Sequence, residues 1–131
     1  MLSIKKGFSL IELMVVITVL AILAAIAVPV YSHFVQRSYR ADAVATLSNV
    51  AIDQESYYHR NGSYATSLEE LGLSSESEQG YYTITLENVS NNSFDVKAEA
   101  QGSQADDTDC QTITLKIENG MSTRQPSKCW E

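Results

Sequence analysis

Glu12 is the residue whose position most strongly indicates a chemical role. It is the only charged residue between Lys6 and Arg37, and apolar side chains surround it in the sequence. A carboxylate in an apolar environment is costly unless it is paired, so such a charge is a functional candidate by default. Its natural partner is an ammonium group at a similar depth. The alternative is a glutamate that is tolerated at the edge of an apolar layer.

The histidines and cysteines do not form a recognisable catalytic or metal-binding set. His33 and His59 lack a Cys, Ser or Asp at the spacing of a triad, so we interpret both as surface residues. Cys110 and Cys129 are far apart and lack CxxC spacing, which leaves a zinc site or a thioredoxin-like centre without ligands.

An acidic stretch at residues 101–109 is the remaining candidate for metal chemistry. Asp106, Asp107 and Asp109 lack the Gly and the distal Glu of an EF-hand loop, so we expect a solvated loop. We therefore expect no enzyme, no cofactor and no metal site.

Composition limits the protein to one domain of modest size. The chain has 131 residues, of which 44% are hydrophobic and 19% charged, which excludes wholesale disorder and a polytopic membrane protein. The formal charge is −7 and there is no block of Lys or Arg, so DNA binding by charge alone is unfavourable.

A long apolar run dominates the N-terminal part. The 21 residues from Phe8 to Val28 would span about 31 Å as a helix, enough to cross a membrane. Lys5 and Lys6 precede the run and predict a cytoplasmic N-terminus with the C-terminal body outside. A cleaved signal peptide is the alternative, but its apolar region would be shorter.

The helical pattern continues beyond Pro29 and ends at Asn61 and Gly62. Pro29 either marks where the membrane helix meets water or acts as a flexible joint, because it removes a backbone N–H and loosens the helix. An apolar stripe recurs at helical spacing after it, and Arg40 and Asp42 fall on the solvated side. The residues of this stripe are Phe34, Ala41, Val44, Leu47, Ala51 and Tyr58.

The C-terminal half has the patterns of a small antiparallel sheet. Ser67 to Glu70 has capping-box spacing and predicts a short helical turn. Asn119-Gly120 is a strong hairpin signal. Alternating residues predict strands at 82–86, 94–98 and 112–117, with a fourth at 121–125. The sequence thus predicts an α+β fold, in which a long N-terminal helix packs by its distal half on this sheet.

The N-terminal motif resembles the processing signal of type IV prepilins and the related pseudopilins. The resemblance rests on Gly7, Phe8, Glu12, the apolar run and Pro29. It implies that a membrane peptidase cuts between Gly7 and Phe8 and methylates the new N-terminal Phe8. The ammonium so created would pair with Glu12 of a neighbouring subunit as the filament grows.

The C-terminal end, from Cys110 to Cys129 and Trp130, resembles the disulfide-bounded end of PilE-like minor pilins of Gram-negative bacteria. An oxidising compartment outside the inner membrane would favour that disulfide. Two free buried thiols are the alternative.

The resemblance implies four segments and a set of partners. These are a cleaved leader (1–7), a transmembrane and assembly helix (8–29), its amphipathic continuation (30–60) and a globular sheet domain (61–131). The expected partners are other major and minor pilins, the prepilin peptidase and methyltransferase, and the inner-membrane assembly machinery. The protein would occupy the inner membrane as a single-pass protein with a periplasmic domain, and then the extracellular pilus.

The function implied is that of a structural subunit of a type IV pilus, most similar to a minor pilin, supporting pilus assembly, adhesion or twitching motility. A type II secretion pseudopilin is the closest alternative, although such proteins often lack the disulfide. A DNA-uptake pilin is another alternative. The chain without residues 1–7 has seven Lys and Arg against sixteen Asp and Glu, and this net charge of −9 is unfavourable for binding DNA. An anchored periplasmic binding protein would need neither Glu12 nor cleavage at Gly7.

Overall fold

A computed structural model describes residues 3–131. The chain divides into two compact units between Val35 and Gln36. One helix, α1, runs from Leu10 to Asn61 and contributes to both units. The predicted end of the helix at Asn61 is confirmed, and Gly62 follows it with a φ of 76°, a conformation that favours glycine.

In the first unit, the helix begins after a short non-helical segment. Every described side chain from Ser3 to Phe34 is exposed. The helix is long and apolar enough to cross a membrane by length and composition, and no residue of its most apolar 18-residue window is buried. Pro29 lies inside the helix, with helical residues on both sides. The loosening expected at Pro29 remains a prediction.

In the second unit, the buried face of α1 differs from the predicted apolar stripe. Its buried residues are Asp42, Ala43, Leu47, Val50 and Gln54. Of the predicted stripe, Leu47 is buried, Val44 and Ala51 are half-buried, and Phe34, Ala41 and Tyr58 are exposed.

The polar residues Asp42 and Gln54 explain part of this difference; the rest arises because the buried apolar residues Ala43 and Val50 each precede a residue of the predicted stripe by one position. The Gln54 amide donates to the carbonyl of Ala65 (2.9 Å) and accepts from its N–H (2.8 Å). A buried polar group is tolerated when its hydrogen bonds are satisfied, so an apolar-only stripe missed these positions. The expectation that Asp42 faces solvent was wrong.

A four-stranded antiparallel sheet confirms the predicted α+β fold. Its strands are β1 (Tyr82–Glu87), β2 (Ser93–Ala100), β3 (Thr112–Glu118) and β4 (Met121–Gln125), in the order β1-β2-β3-β4. Asn119 and Gly120 both have positive φ, 53° and 80°, as a tight hairpin between β3 and β4 requires.

The core lies between the distal half of α1 and one face of the first three strands. Alternate residues of β1, β2 and β3 point to this face and are buried, among them Tyr82, Phe94 and Ile113. Tyr64, in the connection after α1, packs edge-on against Phe94 with ring centroids 4.9 Å apart. In the same connection, Ser67 Oγ accepts from Glu70 N (3.3 Å) ahead of a turn at Glu69–Leu71, as its spacing predicted.

Residues 101–110 differ from the solvated acidic loop that we predicted. They form two short 3₁₀ turns, Gly102–Asp106 and Thr108–Cys110. Gln104 and Asp107 are buried, whereas Asp106 and Asp109 are exposed. The acidic composition concealed a segment that packs through selected polar side chains.

Cys110 and Cys129 form a disulfide, and both are buried. We expect Cys129→Ser to lower the free energy of unfolding by about 3 kcal/mol, because the unfolded chain loses the closed loop between the cysteines. Thermal melts without reductant would measure this loss. Cys110→Ser should match it, and Ser127→Ala, an exposed change in the same turn, should not. Equal melting temperatures for Cys129→Ser and Ser127→Ala would contradict the prediction.

Candidate functional site

The predicted cleavage point lies in an exposed, non-helical part of the chain. Gly7 and Phe8 precede the first residue of α1, Leu10. Phe8 is 93% exposed. Among the described residues, apart from Gly7 and its two chain neighbours, no atom lies within 4 Å of where a Cβ on Gly7 would sit. The fold therefore places no steric demand on Gly7, and a peptidase has access to the bond that follows it.

Glu12 and Ser9 form a reciprocal pair of hydrogen bonds at the start of α1. Ser9 N donates to Glu12 Oε2 (3.1 Å), and Glu12 N donates to Ser9 Oγ (3.2 Å). This arrangement is a capping box, which satisfies two backbone donors that the first helical turn leaves unpaired. Our reading of the sequence missed this role of Ser9, although the S-x-x-E spacing is the signal for it.

The second carboxylate oxygen of Glu12 leaves capacity for another partner. Within residues 3–131, Oε1 of Glu12 accepts no hydrogen bond. A carboxylate in the first turn is stabilised by the helix dipole and can still accept hydrogen bonds from an ammonium. Glu12 can thus cap its own helix and pair with a cation of another molecule at the same time.

The apolar part of α1 is an exposed hydrophobic surface. The large side chains from Leu10 to Val28 are each about half exposed or more. An apolar surface of this length is unstable in water and is covered by lipid or by other helices. Glu12 is the single charge on this surface.

A partly buried ion pair between Arg40 and Asp107 links α1 to the 3₁₀ turns of the second unit, and the sequence analysis did not predict it. Arg40 Nε and Nη2 donate to the two carboxylate oxygens of Asp107, at 2.6 and 2.7 Å. These hydrogen bonds raise the pKa of Arg40 above its usual value. The Gln104 amide donates to the Gln36 carbonyl (2.9 Å), the Tyr82 hydroxyl (3.0 Å) and Asp107 Oδ2 (3.3 Å).

A second polar contact, made by Asp42, holds residues 77–79 next to β1. Asp42 Oδ2 accepts from Ser77 Oγ at 2.5 Å, and Asp42 Oδ1 accepts from Gln79 N at 3.1 Å. Ser77 Oγ in turn accepts from Tyr82 N. Both contacts organise the fold, and neither forms a catalytic arrangement.

The histidines and acidic residues considered for metal or acid–base chemistry do not form a common site in residues 3–131. His33 and His59 are exposed. Asp107 is bound to Arg40, while Asp109 is 3.5 Å from Lys128. Over residues 3–131, no group of three or more His, Cys, Asp and Glu side chains is arranged to hold a metal ion.

We expect Arg40→Met to destabilise the second unit by about 2–3 kcal/mol, because it leaves Asp107 as a buried charge without its partner. Adding Asp107→Asn should recover most of this loss, since no unpaired charge remains and Gln104 keeps an acceptor. Urea unfolding of the single and double variants measures both effects. A double variant as unstable as Arg40→Met would contradict the explanation.

Comparisons with known proteins identify both parts of the chain. A model of the family described as "Type IV minor pilin ComP, DNA uptake sequence receptor" matches residues 29–114. A second, described as "Prokaryotic N-terminal methylation motif", matches residues 2–28. The second match contains Gly7, Phe8 and Glu12, and the first contains α1 from Pro29 onward and most of the sheet.

Three curated relatives illustrate the similarity. The chain is 33% identical over 107 residues to "Type IV major pilin protein PilE" of Neisseria gonorrhoeae, covering 76% of this chain and 64% of that protein. It is 36% identical over 77 residues to "Type IV major pilin protein PilA" of Myxococcus xanthus, covering 59% and 35%. It is 44% identical over 52 residues to "Type IV major fimbrial protein FimA" of Dichelobacter nodosus, covering 40% and 32%. The alignments thus span about one-third to two-thirds of these relatives.

Proposed function

The chain belongs to the type IV pilin family, and we propose that it is a structural subunit of a type IV pilus. The observation that carries this proposal is the exposed apolar half of α1, which starts just after Gly7 and Phe8 and has Glu12 as its single charge. The methylation motif matches the same stretch. The relatives of this chain are described as pilins and fimbrial proteins, which are structural subunits.

We further propose the route by which the subunit is made. Residues 1–7 are a leader that the prepilin peptidase removes, and the same enzyme methylates Phe8. Residues 8–29 hold the protein in the inner membrane, 30–60 continue the helix, and 61–131 form the periplasmic sheet domain. The inner-membrane assembly machinery then transfers the subunit into the extracellular pilus.

Assembly is proposed to rest on two physical contributions. The apolar helix surface leaves lipid and packs against the same surface of neighbouring pilins, where van der Waals contacts replace those with lipid. Glu12 pairs with the methylated Phe8 ammonium of a neighbour, so that neither charge stays unpaired in the apolar core. Contacts of this heterologous kind generate filaments when the rotation between subunits does not close a ring.

Filament shearing tests this function. Pili are sheared from cells, collected by centrifugation and probed with antibody against residues 61–131. We expect the cleaved chain in the filament fraction. As a control, an inner-membrane protein that is not part of pili should be absent from that fraction. Recovery of the chain in the inner membrane alone would contradict the proposal.

A DNA-uptake receptor is a second candidate, and one observation favours it. The family model that covers residues 29–114 is described as a DNA uptake sequence receptor. The charge of the mature chain, −9, opposes strong backbone binding, so recognition would rest on a few cations such as Arg124 and Lys128. This candidate adds to the role of pilus subunit and does not replace it.

A mobility-shift assay with salt titration separates the two candidates. The mature chain is mixed with duplexes of different sequence at increasing salt concentration. A receptor shifts one sequence preferentially and binds less tightly as salt rises. No shift at low salt would leave the structural role as the only function.

A further inference from the structure

The two edges of the sheet differ in how they are covered. Residues 75–77 lie along β1, where Ser77 N donates to the Tyr82 carbonyl (2.9 Å) and Ile84 N donates to the Ser75 carbonyl (2.7 Å). In the part of the chain that the structure describes, no segment pairs with the outer side of β4. All five β4 residues, Met121–Gln125, are exposed. The β4 edge is therefore available to another molecule.

The two edges also differ in charge. The segment at residues 61–81, beside β1, carries four glutamates and no Lys or Arg. The segment at residues 121–129, which contains β4, carries Arg124 and Lys128 and no acidic residue. Glu76 and Glu78 thus give the β1 side unpaired negative charge, and Arg124 gives the β4 strand an unpaired positive charge, whereas Lys128 is paired with Asp109.

A groove lies on the acidic side. Its volume is about 340 Å³, and it is formed by α1 and residues 73–78. Leu73 supplies the accessible apolar surface of the groove, since Val50 in its wall is only 2% exposed, and Glu76 and Glu78 supply its charges. Neither glutamate is within 4.0 Å of a Lys, Arg or His nitrogen over residues 3–131. A long side chain with an apolar stem and a cationic end matches this groove.

Arg124, on the β4 edge, has such a side chain, with an apolar stem and a cationic end. Its guanidinium carbon lies 5.2 Å from the centroid of the Trp130 ring, a cation–π contact that restricts its position. Among the described residues, no carboxylate lies within 4.0 Å of this guanidinium. Arg40, Lys97 and Lys128 are already paired with carboxylates. Arg37, Arg60 and Lys116 have no carboxylate within 4.0 Å among the described residues, but Arg124 alone of these four cations lies on the unpaired edge strand β4.

Arg124 and the groove cannot meet within one molecule. The edges of a four-stranded sheet are separated by about 14 Å, three spacings between neighbouring strands. A contact between them must therefore join two molecules. It uses a different surface on each molecule, so it joins copies head to tail and not as a two-fold dimer, which suits the repeating arrangement of a filament.

We propose that Arg124 of one copy docks into the groove beside Glu76 and Glu78 of the next copy in the filament. This inference rests on the proposed function, because only assembly places copies of the chain in a repeating arrangement. Apolar contact of the arginine stem with Leu73 adds to the ion pair.

Carbodiimide cross-linking in sheared filaments tests the contact between position 124 and the groove. The full-length chain with Arg124→Lys keeps the positive charge and provides an amine at position 124, which a carbodiimide joins to a carboxylate that touches it. We expect a covalent dimer on a denaturing gel and a peptide that joins position 124 to Glu76 or Glu78. Coupling of Lys128 to Asp109, 3.5 Å apart in one molecule, is the internal control. Glu76→Gln with Glu78→Gln should abolish the peptide joined at position 124, whereas coupling of the Phe8 amine to Glu12 of a neighbour would give a different peptide.

A charge swap gives an independent readout. Arg124→Glu should reduce the amount of the chain in filaments by about tenfold, because like charges then face each other. Adding Glu76→Lys and Glu78→Lys should restore it. Thermal melts of each variant confirm that the sheet domain is folded.

The outcomes are distinguishable. If the chain is present in filaments and Lys128 couples to Asp109 without any peptide joined at position 124, the contact is wrong and the proposed function stands. If the chain is absent from filaments, the proposed function itself fails. If Arg124→Glu leaves filament content unchanged and removes a DNA mobility shift, Arg124 serves nucleic acid and the contact is overturned.

Discussion

Glu12→Gln is expected to produce a chain that is cleaved and resides in the membrane but is nearly absent from sheared filaments. Glutamine keeps an oxygen that accepts from Ser9 N, so the capping box at the start of α1 is retained. The substitution removes only the negative charge. The Phe8 ammonium of a neighbour is then left unpaired in an apolar core, at a cost of several kcal/mol. Glu12→Ala should show the same assembly defect.

Ser9→Ala is the matched control for Glu12→Gln. It removes the hydroxyl that accepts from Glu12 N and so breaks the capping box, while the charge of Glu12 stays. We expect Ser9→Ala to assemble at close to normal levels, with a local stability loss of about 1 kcal/mol. Filament content is measured by immunoblot against total protein. If Ser9→Ala fails and Glu12→Gln assembles, Glu12 acts through capping and the pairing role is wrong.

Gly7→Val is expected to block maturation, so that the full-length chain accumulates in the inner membrane and none enters filaments. The fold in residues 3–131 tolerates a side chain at this position, because an added Cβ meets no atom within 4 Å beyond the two chain neighbours of Gly7. A loss of processing would therefore report on recognition by the peptidase, whose active site must close around the bond between Gly7 and Phe8. Gel mobility and intact mass distinguish the cleaved and uncleaved chains.

Ser3→Val provides the control for this experiment. Ser3 lies in the same exposed, non-helical segment as Gly7 and is distant from the bond to be cut. It should mature and assemble normally despite receiving the same β-branched side chain. Normal cleavage of Gly7→Val would refute the assigned processing point.

The sequence predicted the elements of this fold well because their local signals agree. Period-two alternation located three strands, Asn119-Gly120 located the hairpin and with it the fourth strand, and the helix ended where Asn61-Gly62 indicated. The disulfide between Cys110 and Cys129 also formed as predicted. Each of these features depends mainly on residues close in sequence or on a residue type with few alternatives.

The buried polar contacts could not be predicted in this way. Asp42 and Arg40 sit on α1 where polar residues ordinarily face solvent, and their partners Ser77 and Asp107 are 35 and 67 positions away. Only the tertiary packing brings these groups together. Ser9 is different, because its capping role is local and its spacing from Glu12 could have revealed it.

Mass spectrometry of the chain purified from sheared filaments tests the central proposal most directly. The proposed function predicts the mass of residues 8–131 plus one methyl group, less the two hydrogens lost in the Cys110–Cys129 disulfide. Fragmentation should place the methyl group on the amine of Phe8. A chain that still begins at Met1, or one cleaved after the apolar run like a signal peptide, would contradict assignment of this protein as a processed pilus subunit.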